Sequence, residues 1–138
     1  MLKEEVETPP NKLKYIGGYI MQYVYPAIFY EAKDGGYVVE FPDVQGAVTQ
    51  GETLYEAMVM AEDALAGMLA CYEDKKAGIL DHPFTNKVNK PTPISQIKAE
   101  PDEFSNGAFV TLIRVDTDEY RKSLVNRGLH EEHEAIPA

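Results

Sequence analysis

The residues with the most chemistry to offer stand near the C-terminus, in the run His130-Glu131-Glu132-His133. Histidines three positions apart share one face of a helix and, given further ligands, hold a transition metal. The spacing differs from the H-E-x-x-H zinc motif, and the sequence places no third ligand beside the pair. The run therefore reads as solvated charge, and no metal or cofactor is expected. Cys71 is the only cysteine, so it forms no intramolecular disulfide, which fits a reducing compartment. None of the three histidines carries a feature tying it to Cys71 as a base, and a small residue on a helix is the simpler reading. Gly17-Gly18 and Gly35-Gly36 lack the G-x-G-x-x-G and Walker-type patterns that cradle phosphates, and no G-x-S-x-G elbow occurs. Lys87, Lys90 and Lys98 are interleaved with prolines instead of the stacking aromatics of a single-strand groove. No catalytic residue emerges, and the chain is read as not an enzyme.

What the residue types do supply is negative charge. Asp and Glu number 23 against 13 Lys and Arg, a formal charge of −10. Such a surface repels phosphate backbones and attracts basic partners at long range, although surplus acid also serves solubility alone. The 138 residues, 44% apolar and 26% charged, suit one globular domain. No apolar stretch approaches the ~20 residues of a membrane span, and the N-terminus is acidic. No membrane association and a cytoplasmic location are the expectations.

The elements that must carry this charge follow from local patterns. Residues 1–20 read as an arm, in which Ile16-Gly17-Gly18 is what a purine-rich ribosome-binding site would encode, making Met21 a candidate native start. The domain is expected over 21–127. Tyr25 to Ala32 and Tyr37 to Phe41 are strand-like and flank Lys33-Asp34-Gly35-Gly36, a hairpin turn whose glycines accept positive φ. Ala47 to Gln50 supplies a short third strand. Thr53 and Glu56 form a capping box, opening a helix with an apolar stripe of Leu54, Ala57, Met58, Ala61, Ala64, Leu65, Met68 and Tyr72, and Gly78 caps its end. The proline-bearing stretch 79–107 is a long connection, either wrapped on the surface or free as a binding arm. Phe109 to Val115 is a fourth strand, apolar enough to be placed inside the sheet. Asp116 and Glu119 cap a short helix expected to stop near Arg127 before Gly128, leaving 128–138 as an acidic tail. The fold class is α+β, ordered β-β-β-α-β-α: a three-stranded antiparallel meander plus a fourth strand, packed against one long helix.

Within that order, Tyr25-Pro26-Ala27, Asp34-Gly35-Gly36-Tyr37, Phe41-Pro42-Asp43, Gly46, Thr49-Gln50-Gly51-Glu52-Thr53, Glu56-Ala57 and Ala61 together resemble the HicB antitoxin family. The individual pieces are ordinary turns and caps; their combination over residues 23–72 is specific, with weaker similarity over 109–122. The resemblance implies a degraded ribonuclease-H-like fold that binds and neutralises a HicA-type toxin, a small basic mRNA-cleaving protein, by masking its RNA-binding or catalytic surface. Ribonuclease-H chemistry needs carboxylates converging on two metal ions, and the strand centred on Ile28-Phe29 has none at its middle. Glu31, Asp34, Glu40 and Asp43 are instead expected to form an acidic toxin-facing rim around the hairpin, with Tyr30 and Tyr37 as aromatic anchors. Members of the family commonly append a DNA-binding domain. Here Arg121-Lys122 is followed by acidic Leu129-His130-Glu131-Glu132-His133-Glu134, so direct DNA binding is not expected, while a homo-oligomer is compatible with the sequence. The competing readings are an RNA-binding or regulatory domain and a residual metal-dependent nuclease.

Overall fold

A computed structural model describes the backbone of residues 12–15 and 18–135 and the side chains of 21–128. Its spine is one long strand. β1 (Lys12–Tyr15) pairs antiparallel with the start of β2 (Gly18–Ala32), Lys12 against Met21 and Tyr15 against Gly18. Strand structure thus begins inside the stretch read as an arm and before Met21; the part preceding Lys12 lies outside the described residues. β2 then pairs with β3 (Tyr37–Glu40), which pairs with β4 (Val48–Gly51). On its other side β2 pairs along almost its whole length with β5 (Ser105–Asp116). The four-stranded antiparallel sheet is ordered β5-β2-β3-β4.

β5 is therefore an edge strand among the described residues, not the inner strand its apolar run suggested. Its side chains alternate after all: Ile113 is buried against the core, whereas Leu112 on the opposite face is 50% exposed. β2 and β3 are the inner strands, and on β2 Tyr23, Tyr25, Ala27 and Phe29 face the core while Pro26 and Ile28 are buried on the other side. The turn between β2 and β3 falls where expected, with Gly35 at φ 103° and Gly36 at φ 82°.

α1 (Leu54–Ala77) covers the core face of the sheet. The Thr53 hydroxyl accepts from the Glu56 amide at 3.0 Å, but the Glu56 carboxylate accepts from the Glu52 amide, one residue before the partner a capping box prescribes. Gly78, at φ 76°, closes the helix as expected. The buried line is Ala57, Ala61, Leu65 and Leu69, one residue every turn, while Leu54 and Met58 are exposed, so the stripe is rotated from the expected one. Beneath the first turn β4 is short, and its Gly51 backs so tightly onto the helix that an added Cβ would stand 2.6 Å from the Ala57 Cα. Ala66 and Ala70 are buried as well, on the side of α1 that meets the last helix.

That last helix, α2 (Thr117–Ala135), continues straight through Gly128, which overturns both the expected stop and the acidic tail over 128–135. A glycine inside a helix costs about 1 kcal/mol against alanine and does not by itself end it. Asp116 caps α2 by accepting from the Asp118 and Glu119 amides at 2.9 and 3.1 Å. A polar hub fixes its first turns to the body. Glu73 accepts from the Tyr23 hydroxyl at 2.6 Å, the fully buried Thr117 hydroxyl at 2.8 Å and Arg121 at 2.9 Å, and Arg121 also pairs with Asp74. Burial first, and then the Glu73 carboxylate, hold the Tyr23 hydroxyl well above its ordinary pKa.

The long connection is wrapped on the body, not free. Val44 bridges to Val88, Gln45 bonds Lys87 through both amides, and the Tyr25 hydroxyl donates to the Asn89 carbonyl at 2.6 Å. Its 3-10 turn Ile94–Gln96 lies against β5, and the Glu100 amide donates to the Tyr30 hydroxyl at 3.4 Å, so the chain crosses the sheet face opposite α1.

Candidate functional site

The hairpin separates the six residues expected to face a partner. Tyr30 and Glu40 share the sheet face crossed by the connection, where the Tyr30 hydroxyl donates to the Glu40 carboxylate at 3.4 Å. Tyr37 packs against the core on the α1 face, and Glu31, its cross-strand neighbour, is exposed. Asp34 is exposed in the turn between them. Asp43 is elsewhere in character. It is 7% exposed, and its two carboxylate oxygens accept from the Thr92 amide at 2.8 Å and the Thr92 hydroxyl at 2.6 Å. A carboxylate so enclosed ties the connection to the end of β3 and does not stand on an exposed rim; burial first and then this carboxylate push the Tyr25 hydroxyl up to about 12.

Two open clefts flank the hairpin. The first, about 420 Å³, lies between the hairpin and the end of the connection and is lined by Tyr30, Ala32, Val38, Glu40, Glu100, Asp102, Phe104 and Ser105. The second, about 610 Å³, lies between the turn and the first turns of α1, where Asp34, Tyr37, Glu52, Glu56 and Met60 meet. Three carboxylates line each cleft, and no Lys or Arg lines either. Partial burial holds the Tyr30 hydroxyl above its ordinary pKa, opposed by the Glu100 amide and reinforced by Glu40, so at neutral pH it is a donor.

Sequence reasoning did not place Glu52 or Glu56 at a site, reading Glu56 as part of a cap and both as part of the family resemblance, and it missed Glu100, Asp102 and Phe104 altogether. Phe104, 68% exposed, carried one legible signal: it is an aromatic residue directly after the acidic run Glu100-Pro101-Asp102-Glu103. Elsewhere, Arg114, Arg127, Glu62, Asp63 and Glu119 line a shallow mixed-charge surface between α1, β5 and α2. Among the described residues no group of three or more His, Cys, Asp or Glu side chains is placed to hold a metal ion, and no helix is long and apolar enough to cross a membrane. The side chains of His130 and His133 lie outside the described residues.

Residues 25–127, which contain both clefts, match the family model described as the HicB-like antitoxin of bacterial toxin-antitoxin systems. The chain belongs to the HicB-like antitoxin family. Antitoxin HicB 1 of Photorhabdus laumondii is 38% identical over 73 residues, covering 52% of this chain and 41% of that protein. Antitoxin HicB of Escherichia coli K12 is 54% identical over 41 residues, 30% of either chain. The matched region thus spans less than half the length of these curated relatives. Among solved structures, a chain of a toxin-antitoxin complex from Streptococcus pneumoniae superimposes with a TM-score of 0.56, covering 72% of this chain and 73% of that one at 23% identity, a likeness of fold.

Proposed function

We infer that this chain is a cytoplasmic antitoxin that neutralises a HicA-type, mRNA-cleaving toxin by covering its RNA-binding or catalytic surface. The observation that carries this reading is the pair of acidic clefts around the hairpin, inside the region that defines the family and without a lining cation. An RNA-binding surface on the partner must be basic, because it meets phosphates. An acidic surface of matching extent competes for the same cations and excludes the RNA, and the charge of −10 steers the encounter. Charge alone gives rate and specificity; tight binding needs desolvated aromatic anchors, for which the hairpin region offers Tyr30, Tyr37 and Phe104.

The test mixes the purified chain with labelled RNA and divalent metal, with and without the product of the adjacent gene. The expected result is intact, unshifted RNA with the chain alone, cleavage with the adjacent product alone, and protection when the two are equimolar. Cleavage by the chain itself would support a nuclease, a mobility shift would support an RNA-binding domain, and unprotected RNA in the mixture would refute masking.

A further inference from the structure

The end of the long connection contributes a wall that neither hairpin strand could make. We propose that the cleft between this wall and the hairpin receives a Lys or Arg side chain of the toxin together with an apolar residue beside it, with Phe104 as the anchor. This deepens the antitoxin reading and rests on it. The polar half of the site is Glu40, Glu100 and Asp102 around the Tyr30 hydroxyl, with no lining cation. The Lys33 amide donates to the Phe104 carbonyl at 2.9 Å, but the Lys33 side chain does not line the cleft.

The apolar half is the exposed ring of Phe104 next to exposed Val38. Phe104 is held from both ends. Its amide donates to Asp102 at 2.8 Å, the Ser105 hydroxyl donates to the same carboxylate oxygen at 3.2 Å, and its carbonyl is bonded to the hairpin turn. A backbone fixed in this way leaves mainly two side-chain torsions to be ordered on docking, which is what distinguishes an anchor from a loose surface phenylalanine. A cation over the ring face gains a further attraction while its charge meets the carboxylates. Nucleic acid would bring phosphates against three carboxylates, and a second copy of this chain would bring more acid to the same place, so a basic protein segment is the occupant the charges select.

The experiment uses the full chain and the product of the adjacent gene, with association and dissociation rates measured for wild type, Phe104→Ala, Glu100→Gln and, as a control on α1 outside the first cleft, Tyr55→Ala. All three side chains are exposed, so melting temperatures should stay within a degree or two of wild type. Phe104→Ala should weaken binding roughly tenfold or more, mostly through faster dissociation. Glu100→Gln should slow association severalfold at low salt and little at high salt. Tyr55→Ala should change neither. Wild-type binding with Phe104→Ala and Glu100→Gln both indistinguishable from it would overturn the cleft and leave the antitoxin reading standing. An equal loss in Tyr55→Ala would also overturn it, and no binding by wild type would overturn both.

Discussion

Asp43 was expected on an exposed rim, and its enclosure makes a sharp prediction. In Asp43→Ala, two short bonds from Thr92 disappear at once, and a third contact, the Asn89 amide on the Asp43 carbonyl, loses its neighbour's support. Hydrogen bonds to a charged group contribute about 1.5–3 kcal/mol each, but these two share one carboxylate, and half-buried Thr92 recovers some water when it is removed. The net cost is about 2–4 kcal/mol, a large fraction of the ~5–15 kcal/mol that holds a domain together. For a domain of this size that is a fall of roughly 8–15 °C in melting temperature. Urea titration followed by circular dichroism should show a lower midpoint at an unchanged slope, and the rate of association with the toxin should match wild type, because no exposed charge is lost. A melting temperature within about a degree of wild type would show that the bonds to Thr92 carry little. A slowed association at equal stability would return Asp43 to the rim.

Other perturbations read other parts of the account. Gly51→Ala must push a Cβ into the backbone of α1 at Ala57 and should cost about 1–3 kcal/mol in the same titration, even though alanine is ordinarily harmless in a short strand. Thr53→Ala removes the acceptor of the Glu56 amide and should cost about 0.5–2 kcal/mol; an unchanged midpoint would reject the cap. Glu73→Ala strips the hub shared by Tyr23, Thr117 and Arg121, so hydrogen exchange in the first turns of α2 should rise well above that in α1. Tyr25 gives a pH dependence. Its folded pKa, about 12, lies above the unfolded value near 10, so the folded state keeps a proton the unfolded chain has lost. That contribution is fully present below pH 10 and is lost as pH rises towards 12. Tyr25→Phe should flatten the fall in stability over this window, as read from unfolding midpoints at pH 9 to 12.

The features legible in the sequence are those fixed by neighbours in the chain. Asp34-Gly35-Gly36 allowed only a tight turn, Thr53 could cap only the helix that followed it, and Gly78 ended it. What escaped was set by contacts between distant residues. The path of the connection depends on Asp43 meeting Thr92, 49 positions away, and nothing periodic in 79–107 announces it. The continuous apolar run of β5 suggested burial on both faces because side-chain type does not reveal which face the connection will cover. The glycine and acid after Arg127 resembled a stop, yet α2 needed none. The cleft linings divide along the same line: Tyr30, Asp34, Tyr37 and Glu40 belong to the hairpin and are neighbours in the chain, whereas Glu100 reaches Tyr30 only across 70 residues.

The central claim is that exposed acid around the hairpin governs the encounter with a basic toxin. The most direct measurement is the association rate constant by stopped flow at two salt concentrations, for wild type and for a chain carrying Asp34→Lys and Glu52→Lys, both exposed and both lining the second cleft. The account predicts that salt slows wild-type association markedly, that the double charge reversal slows it further and weakens its salt dependence, and that unfolding midpoints barely move. Association indifferent both to salt and to the two reversals would contradict it.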